Sequence, residues 1–137
     1  MKKRIILAIA LALVLSFSSL GGTQKAVAAD WTSTGSIWTT YYHSGSFSSY
    51  VYQRTIKPSS GSTILAGVQA NSSETGTFKA ILQKSVNGVW QNYRTKYPTK
   101  NGYTALTFYD VTQGATYRIK LENTGSSKID YTFNVKQ

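Results

Sequence analysis

From Ile64 onward the sequence is laid out two residues at a time. Apolar side chains recur at Ile64, Ala66, Val68 and Ala70, at Phe78, Ala80 and Leu82, and at Tyr117, Ile119 and Leu121 against Arg118, Lys120 and Glu122. The last run sets Ile129, Tyr131, Phe133 and Val135 against Asp130, Thr132, Asn134 and Lys136. Successive side chains of an extended chain point to opposite sides, so a period of two makes half-buried strands with one face on a core and one in water. Gly61, Gly76, Gly88, Gly102, Gly114 and Gly125 come at intervals of eleven to fifteen residues, each within a polar stretch such as "NSSETG" or "NTGSSK". That is the punctuation a sandwich or barrel of short strands requires.

One turn is sharper than the rest. "SVNGVW" sets Asn87-Gly88 between two strand-like runs, and Asn-Gly is favoured in a type I′ turn because both central residues need positive φ. The pattern predicts eight strands, over 36–42, 49–57, 62–70, 77–86, 89–97, 103–111, 115–123 and 128–136. The predicted fold is all-β, a two-sheet antiparallel sandwich of Greek-key or jelly-roll kind, with a closed barrel as the alternative.

The start of the chain speaks to compartment. "MKKR" is a positive segment, Ile5 to Leu15 is an apolar run, and "AVAA" at Ala26 to Ala29 is a small-residue cleavage site. Together these read as a secretory signal peptide over 1–29, followed by a single domain over 30–137. The apolar run is too short to span a bilayer, and no second one follows, so an exported protein, extracellular or loosely wall-associated, is expected. The chain has no cysteine, which removes a disulfide framework and thiolate metal sites.

Charge narrows the partners. The sequence carries fifteen Lys plus Arg against five Asp plus Glu; losing Lys2, Lys3, Arg4 and Lys25 with the signal leaves eleven against five, or +6. This bias draws the protein toward anionic wall polymer or glycan by a salt-screened attraction. It is too modest, in an exported chain, to point to nucleic acid.

Catalytic chemistry has little to draw on. His43 is the only histidine, and no G-x-S-x-G elbow is present to pair with it. The five carboxylates, Asp30, Glu74, Asp110, Glu122 and Asp130, are scattered along the chain, with no pair spaced for glycoside hydrolysis and no calcium loop. No metal, cofactor or enzymatic activity is therefore expected, and a small exported domain of this kind works by binding.

Aromatic residues supply the candidate surface. Ten tyrosines and three tryptophans outnumber five phenylalanines, and Tyr and Trp suit positions that are dry at one end and wet at the other. "WTTYYHSGSFSSYVY" concentrates rings around Trp38, Tyr41, Tyr42 and His43, with "HSGSFS" read as a turn. After the Asn-Gly turn, strict alternation puts Trp90, Asn92, Arg94 and Lys96 on one face, a tryptophan beside two cations. Such a mix can stack on sugar rings and pair with phosphate. Trp38, Tyr41, Tyr42, His43, Trp90, Arg94 and Lys96 are thus the predicted binding residues.

"WTSTGSIWTTYYHSGSFSSY", with Tyr42-His43 and Gly45-Ser46 leading into a strand, resembles the start of the mature lactococcin-972-type bacteriocins over about twenty residues. The resemblance implies a small secreted basic β-sandwich that inhibits septum formation by binding a cell-wall precursor. The closing segment "GATYRIKLENTGSSKIDYTFNV" is similar to the last hairpin of many secreted bacterial jelly-roll modules. Three functions follow as expectations: a noncatalytic binding protein at the bacterial envelope, a bacteriocin-like antimicrobial, or a matrix protein that self-associates through aromatic edge strands.

Overall fold

In the computed structural model the described residues are 40–59 and 61–136. The signal-peptide reading, Trp31 and Trp38 lie outside them. The eight strands are β1 (Thr40–Phe47), β2 (Tyr50–Tyr52), β3 (Ile64–Ser72), β4 (Lys79–Val86), β5 (Val89–Lys96), β6 (Gly102–Phe108), β7 (Tyr117–Glu122) and β8 (Ile129–Lys136). They form two four-stranded antiparallel sheets, ordered β1-β8-β3-β6 and β2-β7-β4-β5. This order is a jelly roll: the pairs β4·β5, β3·β6, β2·β7 and β1·β8 nest inside one another about the Asn87-Gly88 turn, and the long hairpin rolls so that β8 meets β3 and β7 meets β4. The turn is of the expected kind, with φ of 52° at Asn87 and 80° at Gly88.

Two expectations need correction. The predicted turn at "HSGSFS" is strand, because β1 pairs with β8 without a break from Thr40 to Phe47, and the chain turns at Ser48 and Ser49. Gly45 stays extended within this pairing, opposite Tyr131, whose ring would make ordinary contact, 3.4 to 3.6 Å, with a Cβ there. The second strand, expected over 49–57, is only three residues long, with an isolated bridge from Ile56 to Tyr117.

The core is the sum of the inward halves of these strands. Val68, Leu82, Ile119, Leu121, Phe133 and Val135 are fully buried, and the Phe47 ring packs edge-on against Phe78 and Tyr131 at 5.7 and 5.5 Å. No buried side-chain polar atom among the described residues lacks a hydrogen-bond partner.

At one end of the sandwich three turns are tied together by a charge. Lys100 is only 3% exposed, and its ammonium donates to Glu74 Oε2 at 2.5 Å. The other oxygen, Oε1, accepts from the Ser126 hydroxyl and from the backbone N–H groups of Ser126 and Ser127, at 2.9, 3.1 and 3.0 Å. A buried ammonium is tolerated only when paired, and this carboxylate pairs it while satisfying a third turn. Gly125 is required for the close approach, since a Cβ there would run into the carboxylate and the ammonium.

Two outcomes are expected. Phe133→Ala, which empties a site that is 0% exposed, lowers stability by about 3 to 5 kcal/mol in urea denaturation. Lys100 first, then the serine donors, hold the Glu74 pKa down from the ordinary 4.5 to about 2. A carboxylate whose folded pKa is depressed contributes stability that is fully present above the unfolded pKa and lost as pH falls through the folded one. Stability from this group therefore fades between about pH 4.5 and 2, and Glu74→Gln flattens that limb of a plot of urea midpoint against pH.

Candidate functional site

The outer face of the β2-β7-β4-β5 sheet carries the densest cluster of rings and cations among the described residues. Alternation sends Tyr50 and Tyr52 outward from β2, Arg118, Lys120 and Glu122 from β7, Lys79, Ile81 and Gln83 from β4, and Trp90 and Asn92 from β5. Register then aligns them: Gln83 lies opposite both Arg118 and Asn92, and Lys120 opposite both Tyr52 and Ile81.

Arg118 is the centre of the face. Its guanidinium lies 3.8 Å from the centroid of the Tyr52 ring and 4.3 Å from that of Trp90. Its Nε donates to Gln83 Oε1 at 2.8 Å, and Gln83 Nε2 donates to Asn92 Oδ1 at 2.8 Å. Gln83 is buried although it points away from the core, which locks the relay. Two ring contacts and one hydrogen bond thus hold the guanidinium in place, and its Nη groups have no hydrogen-bond partner among the described residues. A guanidinium fork in general can take the paired oxygens of a phosphate or carboxylate.

Lys120 sits 4.7 Å from the centroid of Tyr50, whose ring meets Tyr52 edge-on at 5.4 Å. Lys120 and Lys79 both pair with Glu122, Lys79 at 3.3 Å. The hydrogen bond from Lys120 first, with help from Lys79, lowers the Glu122 pKa against the opposing effect of burial. Three cations therefore share the face with one carboxylate, which leaves it positive.

The structure divides the residues expected from sequence. Trp90 belongs to this face. Arg94 and Lys96 do not share it: a bulge leaves Tyr93 unpaired between Leu82↔Arg94 and Gln83↔Asn92, and the extra residue reverses the alternation. Arg94 instead stacks over the Tyr93 ring at 4.4 Å and reaches Asp110 at 3.6 Å. Tyr93 turns toward the core, tilts against Tyr117 and donates its hydroxyl to the Asp110 carbonyl at 2.6 Å.

Tyr41, Tyr42 and His43 separate in the same way. Tyr41 packs against the core with Arg54 over its ring at 4.4 Å, and Tyr42 points outward from the other sheet. His43 faces inward, where Nδ1 lies 3.1 Å from Gln53 Oε1 and 3.2 Å from the Tyr131 hydroxyl, while Gln53 Nε2 donates to that hydroxyl at 3.0 Å. Burial raises the Tyr131 pKa above 10.0, against the opposing bond from Gln53. This trio joins β1 and β8 to the segment after β2. No group of three metal-ligating side chains is found among the described residues. No helix there is long and apolar enough to cross a membrane.

Sequence reasoning missed Tyr50, Tyr52, Gln83, Arg118 and Lys120 as members of one site. Alternation already marked Arg118 and Lys120 as outward, but only the strand order brings them beside Trp90 and Tyr52.

No family model matches this sequence, and no curated protein matches it. Among solved structures the chain is similar to one described as "CBM4 structure and function", at 13% identity and a TM-score of 0.42, covering 77% of this chain and 71% of that one. It is also similar to "Family 16 Carbohydrate Binding Module-2", at 11% identity and a TM-score of 0.36, covering 68% of this chain and 72% of that one.

Proposed function

We propose that this chain is an exported, noncatalytic binding protein that engages an anionic polymer of the bacterial envelope, a wall polymer or glycan bearing phosphate or carboxylate, through the outer face of the β2-β7-β4-β5 sheet. The observation that carries the reading is Arg118, held between the Tyr52 and Trp90 rings with no hydrogen-bond partner for its Nη groups among the described residues. A guanidinium fixed in place loses little side-chain freedom on binding, so more of each charge-assisted bond reaches the affinity. Tyr50, Tyr52 and Trp90 offer ring surface to the sugar or polyol between the charges, while Lys79 and Lys120 supply the longer-range attraction.

The test is cosedimentation of the purified protein with Gram-positive walls, with and without their anionic polymers, at low and high salt. Binding is expected to fall when the polymers are stripped and again when salt rises. Arg118→Ala is expected to weaken binding about tenfold, the scale of one lost charge-assisted contact. Arg94→Ala, beyond the bulge, changes it by less than about twofold, as for an exposed rim charge. Equal binding to stripped and intact walls sinks the reading. A zone of growth inhibition on sensitive cells would add toxicity to the same contact, and concentration-dependent sedimentation without walls would turn the reading toward self-association.

A further inference from the structure

We propose that the outer face of the β1-β8-β3-β6 sheet is a second binding site, for a neutral, extended, β-linked polysaccharide lying across the strands. The face is the opposite of the cationic one in chemistry. Register places Tyr42 opposite Asn134, Asn134 opposite Gly67, and Gly67 opposite Ala105, in one row across the sheet. Tyr103 starts in the next row, opposite Gln69, but its ring folds back over Gly67: a Cβ there would stand 2.9 Å from Tyr103 Cε2 and Cζ. Gly67 therefore serves to let the ring lie on the backbone.

A ring over a strand glycine stabilises a sheet by itself. That accounts for where Tyr103 lies but not for Tyr42 in the same row or for the ground between them. Tyr42 is 57% exposed and Tyr103 60%, so each presents ring surface to solvent. Their row positions are two strand spacings apart, roughly 10 Å, close to the advance of every second sugar in an extended β-1,4-linked chain. Asn134 stands between them, and the neighbouring row supplies Gln69, Thr132 and Ser44, the last two with hydroxyl oxygens 3.1 Å apart. Rings for the C–H faces of sugars, beside amides and hydroxyls for their edges, are the polar and apolar halves of a glycan contact.

Charge selects the occupant. Along β8 the charged groups facing this side lie at its ends, Lys136 at one and Asp130, paired with Lys128 at 3.1 Å, at the other. Among the described residues no cation stands in the middle to compensate a phosphate or carboxylate stripped of water, so the row fits a neutral chain and disfavours an anionic one.

The test is depletion of the purified protein from solution by amorphous cellulose and by colloidal chitin, at high salt to silence the cationic face. Depletion by at least one of them is expected. Tyr42→Ala and Tyr103→Ala should each bind about tenfold more weakly, the scale of one lost ring contact. Tyr103→Phe should bind within about threefold of the parent, because the ring is kept and only its hydroxyl is lost. Gly67→Ala keeps the tyrosine but lifts it from the sheet, and should behave like Tyr103→Ala. Arg118→Ala should leave this binding unchanged, so the two faces succeed or fail separately. No depletion by either glycan overturns the proposal, as does depletion retained by the folded Tyr42→Ala, Tyr103→Ala double variant. Loss of depletion in Arg118→Ala, or tyrosine variants that change only the oligomeric state, would also overturn it.

Discussion

Without a single cysteine, this sandwich relies chiefly on burial to hold its sheets together, and burial turns alternate residues of its strands inward. The commitment has a consequence on the outside. A one-residue slip would carry Phe133 and Val135 into water and Asn134 into the core, so the apolar interior sets the register of both outer surfaces. Arg118 faces out because Tyr117 and Ile119 face in. The break in alternation at β5 is instructive. The bulge at Tyr93 breaks the alternation of β5, sends that ring toward the core and parts Trp90 from Arg94. The candidate surface that looked continuous along one strand is instead assembled across four.

The jelly roll turns one long hairpin into two faces of unlike chemistry. Nested pairing from the Asn87-Gly88 turn outward makes the β1·β8 and β3·β6 pairs one sheet and the β2·β7 and β4·β5 pairs the other. Tyr52, Arg118 and Trp90 are far apart in sequence and stack in space because β7 lies between β2 and β4. On the opposite sheet the same winding sets Tyr42 and Tyr103 in one row with amides and hydroxyls. One face concentrates positive charge, and the other keeps its charges at the ends.

Polar groups inside the sandwich serve to hold its ends. Glu74 gathers the ammonium of Lys100 and the donors of Ser126 and Ser127 from separate turns, and His43, Gln53 and Tyr131 tie the first strands to β8. In both clusters the polar atoms are partnered, which is the condition for burying them without a large penalty. They leave the sheets' outer surfaces free to differ.

Local features of the sequence determined the class and the elements. Alternation at Ile64 to Ala70, Tyr117 to Leu121 and Ile129 to Val135 was enough to place strands and their inward residues, because side-chain direction in an extended chain follows from position alone. The Asn-Gly pair likewise determined its turn, because φ preference is a property of the two residues. Local pattern does not carry the strand order, the bulge at Tyr93, the burial of Lys100, or the fold of Tyr103 over Gly67. Each of these depends on which distant strand or turn lies alongside, and that is decided only when the two sheets close over a shared core. Composition indicated that rings and cations would meet on this protein; the tertiary structure alone decided that Arg118, rather than Arg94, is the cation between the rings.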